Sequence, residues 1–279
     1  MAISILSIIN SIANYVGGIV LTPIMRLSGV VSLFSISALL GIVIFIIFML
    51  TANLRAFGKI FNDITAHILA VFLFKDNIRV TIRSEVGLLV CAGELLWYSI
   101  VPVFIMSIPL SLVLAQMAMW YQNRPVLPGK ESVVVSITLK KPEGTLQKII
   151  LKETPGITLL AGPVRLADRG ETYWKIMPHV QGIFTLLFET EDGMLYEKQF
   201  CAGAGFMRLS PKRPGLDFFD VLFYPLEKPL PESSPLKSIM IDYPERPSKL
   251  YGTNWWVLTF CIVSMVVALI AKPFLNFGT

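Results

Sequence analysis

Apolar and polar positions fall along this chain in blocks, each with its own period. Leu27 to Leu54 carries no charged residue, and Val86 to Asn123 carries only Glu94. A helix needs about 20 apolar residues to cross the hydrocarbon core of a bilayer, so each stretch predicts a transmembrane span. A third apolar stretch, Trp255 to Ala271, opens on paired tryptophans and ends at Lys272-Pro273. Between the first two spans, Arg55 to Glu85 holds Arg55, Lys59, Lys75, Arg79 and Arg83 against Asp63, Asp76 and Glu85. Its apolar positions Phe57, Phe61, Ile64, Ile68 and Phe72 step at helical spacing, which predicts a helix with one apolar face. Phe74 to Asn77 breaks that helix, and Ile78 to Glu85 leads into the second span, so 55–86 is expected to be a helical hairpin.

Ahead of the first span, Ser4, Ser7, Ser11 and Asn14 recur at steps of three and four among Ile and Leu. This narrow polar stripe predicts a helix within 1–26 that lies in the membrane interface or packs on another membrane helix, interrupted by Gly17-Gly18 and Pro23. In the first span, 27–54, Ser37 and Gly41 share a face that lets a neighbouring helix approach closely. The second span, 87–121, is longer than a bilayer requires and contains Pro102 and Pro109, so a kinked or strongly tilted helix is expected.

From Lys130 the period changes to two. Val133, Val135, Ile137 and Leu139 alternate with Val134, Ser136, Thr138 and Lys140, the pattern of a half-buried strand. Five further runs follow, Ile149 to Lys152, Ile157 to Leu160, Thr172 to Ile176, Ile183 to Phe188 and Leu195 to Phe200, with Glu191-Asp192-Gly193 as a hairpin turn. The expected product over 122–208 is an antiparallel β-sandwich. From 209 to 252 prolines are too frequent for helices or central strands, which predicts an extended tail wrapping the sandwich. Phe218, Phe219, Phe223 and Tyr224 are its expected anchors, and Ser238 to Asp242 an added edge strand. The third span occupies 253–273.

Composition agrees with the pattern: the chain is 54% hydrophobic and 15% charged, with a mean hydropathy of +0.66. Between Arg124 and Lys249 lie 17 of the 24 Lys and Arg and 15 of the 19 Asp and Glu, so this region alone is composed like a water-facing domain. The basic hairpin places itself in the cytoplasm by the positive-inside rule. That sets the β domain outside the cytoplasm and the C-terminus inside, in a multi-pass protein of the plasma (inner) membrane. A net charge of +5, intermixed with acids, offers no nucleic-acid footprint. Cys91, Cys201 and Cys261 form no disulfide framework, and His67 and His179 lack ligand-spaced neighbours. No phosphate loop, zinc spacing or nucleophile elbow occurs, so neither cofactor nor catalysis is expected.

Glu94 is the one charged residue within the second predicted span, which makes it and the nearby Pro102 the intramembrane candidates. Phe57, Phe61, Ile64, Ile68, Phe72, Ser37 and Gly41 are the candidate contacts to partners, which are the bilayer and other membrane subunits.

The run Asn62-Asp63-Ile64-Thr65-Ala66-His67-Ile68-Leu69 through Leu73-Phe74-Lys75-Asp76-Asn77 resembles the hairpin of a group of bacterial multi-pass membrane proteins with the same order of spans and β domain. A span, cytosolic hairpin and further spans over Ser32 to Tyr121 is also similar to the core of the YidC/Oxa/Alb insertase superfamily. Pro178-x-x-x-Gly182-x-Phe184-x-Leu186-x-Phe188 resembles the entry to a late strand of immunoglobulin-like domains. The leading expectation is a non-catalytic scaffold or accessory subunit of a membrane complex. The alternatives are an insertase-like assembly factor, which the superfamily resemblance implies, and a transporter component using Glu94.

Overall fold

In a medium without water, backbone N–H and C=O groups must be paired within their own segment, and the apolar stretches accordingly fold as helices. The computed structural model describes residues 2–24, 26–74, 76–140 and 149–273. Lys75 of the charged hairpin and the C-terminus beyond residue 273 lie outside the described residues. The helices are α1 (Ala2–Ile24), α2 (Gly29–Thr51), α3 (Leu54–Leu73) and α4 (Ile78–Tyr121). The strands β1 (Val133–Leu139), β2 (Ile150–Leu151), β3 (Ile157–Leu166), β4 (Glu171–Pro178), β5 (Gly182–Glu189), β6 (Leu195–Ala202) and β7 (Lys212–Arg213) come next. A short helix α5 (Phe218–Phe223), strand β8 (Leu236–Ile241) and helix α6 (Trp255–Ala271) complete the order.

The chain is a membrane α + β protein: α1 to α4 are each long and apolar enough to cross a bilayer, and α6 is a shorter apolar helix. By length and composition α1 and α3 therefore qualify alongside the expected α2 and α4. The 44 residues of α4 are about twice the ~20 that a bilayer crossing requires. Two compact units divide the chain, residues 1–38 with 111–263, and residues 39–110 with 264–279.

In the first unit, a five-stranded antiparallel sheet in the order β3-β4-β1-β8-β7 and a three-stranded sheet in the order β2-β5-β6 enclose one core. The alternation along β1 sends Val133, Val135, Ile137 and Leu139 inward, where they join Trp174, Ile176, Phe188 and Phe200. Each such side chain contributes about 1.5–3 kcal/mol by leaving water. The β5–β6 turn closes as Gly193 N donates to Thr190 O at 2.9 Å, with Gly193 at φ 74°, a conformation that favours glycine.

Two expectations fail in this unit. Ser238 to Asp242 is no edge strand: β8 lies between β1 and β7, because Pro235 and Pro244 fall just outside it and leave its N–H groups free to pair. The proline-rich tail also forms a helix, α5, whose N-cap Asp217 accepts from Phe219 N and Asp220 N. Leu209, Leu230, Leu236 and Tyr243 of the tail are buried in the sandwich core.

The first helix departs from its expected form as well. α1 runs unbroken through Gly17-Gly18 to Ile24, and its packed face is Leu6, Asn10 and Leu21. Ser4 and Ser11 face away from the protein, with Ser11 Oγ satisfied by Ser7 O at 2.9 Å.

Candidate functional site

The second unit contains the hairpin. α2 ends at Thr51 and α3 begins at Leu54, with Asn53 as the N-cap accepting from Ala56 N at 3.2 Å. The return arm is the first part of α4, started by Asn77, whose side chain accepts from Val80 N at 3.4 Å. The arms pack closely where His67 of α3 lies over Gly87 of α4: a Cβ at Gly87 would collide with the imidazole ring. A side chain there would force the arms apart.

Beside this contact the arms leave a cleft of about 390 Å³ lined by Ala56, Lys59, Ile60, Gly93, Glu94, Trp97 and Tyr98. Glu94 and Lys59 therefore line one cleft, the carboxylate from α4 and the ammonium from α3. Neither makes an ion pair with another described residue. Gly93 and Ala56 make the room, and Trp97 and Tyr98 supply an exposed aromatic wall. Such a cleft suits a helix or polypeptide segment carrying one polar group on an apolar surface, since a cation, an anion and aromatic faces are all in reach.

The remaining predicted residues divide between inward and outward positions. On α3, Phe57 and Ile64 are half-buried, whereas Phe61, Ile68 and Phe72 are exposed, with Phe72 retaining 76% of its accessible surface. The second arm thus covers only part of the stripe. Pro102 is buried and lies within the unbroken α4. Ser37 is fully buried, and its hydroxyl donates to Leu33 O at 2.7 Å. Gly41 meets α6 of the same chain, where a Cβ would lie 2.8 Å from Ser264 Cα.

Three uncharged amides that a count of charges passes over, Asn10, Asn14 and Gln116, organise the first unit together with Arg208. Asn10 of α1 donates to Val221 O at 2.6 Å, and Asn14 donates to Pro225 O at 2.6 Å. Arg208, just before the tail, donates to Asn14 Oδ1 at 2.8 Å and to Gln116 Oε1 of α4 at 2.6 Å. Gln116 in turn donates to Asn14 Oδ1 at 2.9 Å. No carboxylate joins Arg208 among the described residues, and burial lowers its pKa from the usual guanidinium value. The spacing Asn10, Asn14, Gly17 on one face of α1 was the available signal for this contact. Another arginine, the buried Arg246, ends α4 by donating to Trp120 O at 3.3 Å and Asn123 O at 3.0 Å, and its guanidinium lies 4.1 Å over the Phe206 ring. A cation at the carbonyl end of a helix satisfies groups that the helix itself leaves open.

Within the sandwich, Lys198 is wholly buried and donates to Ser210 O at 2.5 Å, to Ser210 Oγ at 3.0 Å and to Glu227. Desolvation pushes the Lys198 ammonium down from its ordinary pKa, and the Glu227 carboxylate opposes that shift. This cluster fastens the tail to β6. Among the described residues no group of three or more His, Cys, Asp or Glu side chains is placed to hold a metal ion. Compared with protein families, with curated proteins and with solved structures, the chain matches none.

Proposed function

We propose that the chain is a non-catalytic scaffold or accessory subunit of a larger membrane complex, with its β domain outside the cytoplasm and its basic hairpin inside. The observation that carries this reading is the edge strand β3. Leu159, Leu160, Val164 and Leu166 are exposed on it, and among the described residues one side of β3 has no neighbouring strand. Apolar side chains on a free sheet edge of a water-facing domain mark a surface that another chain covers. The two-sheet core over β1 to β6 supports an immunoglobulin-like reading of the domain, a common interaction module. Extraction from native membranes in mild detergent tests it: the chain should migrate as part of a larger assembly, and Leu160→Lys with Val164→Lys should release it. An isolated monomer that retains its biological role overturns it.

A second reading, an insertase-like assembly factor, is favoured by the cleft of Lys59, Glu94, Trp97 and Tyr98. Photocrosslinkers at Phe61 or Ile68 distinguish the two. Crosslinks to many nascent membrane chains favour the assembly factor, and crosslinks to a fixed partner favour the scaffold.

A further inference from the structure

Two clefts in the unit of residues 1–38 and 111–263 share Met240 and Asp242 as a common wall. The first, about 440 Å³, is walled by Leu114, Ala118 and Met119 of α4, Val257 of α6 and Phe223 of α5. It is predominantly apolar, lies within the ~300–1,000 Å³ of small-molecule sites, and opens beside two helices of membrane composition. Phe218, Phe219 and Phe223, all exposed, give α5 the aromatic character of a headgroup-level belt.

The second cleft, about 520 Å³, lies on the outer face of the five-stranded sheet. Register explains its depth. Ser136 stands between Tyr173 and Met240, and Thr138 and Ser238 lie side by side next to Glu171, so a floor of short hydroxyl side chains is flanked by taller ones. Lys212 is paired across the ladder with Met240, and Asp242 follows two residues along the same face. The backbone positions of Lys212 and Asp242 are therefore about 7 Å apart along the strand direction. Lys212 donates to Asp220 at 2.6 Å, and an ammonium has further donors to offer. Asp242 makes no ion pair among the described residues.

We propose that the two adjoining clefts bind one phospholipid whose headgroup, carrying both a phosphate and a primary amine, lies on the sheet face while one acyl chain crosses the shared Met240 and Asp242 rim into the apolar cleft. Lys212 meets the phosphate, Asp242 accepts from the amine, and the hydroxyl floor receives the remaining polar atoms. An anionic head without an amine leaves Asp242 facing like charge, and a quaternary ammonium head gives it no proton to accept.

The full chain in lipid nanodiscs, with trace phosphatidylethanolamine bearing a photoreactive acyl chain, tests this directly. Labelling is expected on 114–119 and 256–257, at least fivefold above matched phosphatidylcholine and phosphatidylglycerol probes. Asp242→Asn should lower the phosphatidylethanolamine signal by about five- to tenfold, and Ala118→Trp should remove labelling there for every probe. Equal labelling by all three probes with no response to Asp242→Asn means annular lipid and overturns the proposal, as does a polypeptide crosslinked in the cleft. If Ala118→Trp fails to fold, Asp242→Asn decides alone, since that side chain is exposed.

Discussion

Lys198→Met isolates the bond that fastens the proline-rich tail to the β domain. The substitution keeps most of the buried stem and removes the ammonium, so Ser210 O loses a donor and the Glu227 carboxylate, with only 8% of its side chain accessible, loses its counter-ion. Gln199 N at 3.2 Å and the Ser210 hydroxyl remain as its only donors among the described residues. Breaking a buried pair on one side costs about 3–5 kcal/mol, chiefly because the other charge stays buried. Lys198→Met with Glu227→Leu should recover most of that loss, giving a coupling of about 2 kcal/mol or more. Denaturant unfolding of the full chain in detergent, followed by tryptophan fluorescence, reads both quantities, since Trp174 is in the same core. A single-variant cost below about 1 kcal/mol, or strict additivity of the two substitutions, refutes the reasoning.

Three further outcomes follow from the geometry. Glu131, in a two-pronged bond with Arg124 at 2.7 and 2.8 Å, has its pKa lowered from 4.5 to about 2. The stability it adds is present above pH 4.5 and lost as pH falls towards 2, so Glu131→Gln should cost about 1 kcal/mol at neutral pH, after allowing for its partial exposure, and the gap to wild type should close on acidification. Gly87→Leu should lower the unfolding midpoint by the equivalent of about 1–3 kcal/mol, and His67→Ala in the same chain should restore part of it; no rescue means the two residues are not in contact. Arg208→Ala should cost about 1–3 kcal/mol and speed amide hydrogen exchange across residues 10–17 in nanodiscs, whereas unchanged exchange there denies that Arg208 holds α1.

The sandwich was legible because its signal is local: alternation along Val133 to Leu139 and the turn at Glu191 to Gly193 set inward faces that the sheets then pair. The helices were legible from length and the absence of charge. What escaped was decided by partners far along the chain. Gly17-Gly18 reads as a break in isolation, yet Gly17 is where Gln116 approaches, and a Cβ there would lie 2.8 Å from its Oε1. Gln116 and Asn10 carry no charge, so a search for ionisable groups passes over them, although an amide in an apolar helix also needs a partner. Proline density misled at β8, because prolines flanking a strand leave its own N–H groups intact. Glu94 was visible as the lone acid in its stretch, but its cleft-mate Lys59 could be found only from the closeness of α3 and α4.

The account depends most on which side of the membrane each water-facing part occupies. In a chain whose native cysteines are replaced, single cysteines at Lys59 in the hairpin and at Glu191 in the β5–β6 turn report the two sides. An impermeant maleimide added to intact cells should label Glu191→Cys at once and Lys59→Cys only after the inner membrane is opened. Labelling of Lys59→Cys in intact cells, with Glu191→Cys protected, contradicts the orientation and with it the proposed role of the β domain.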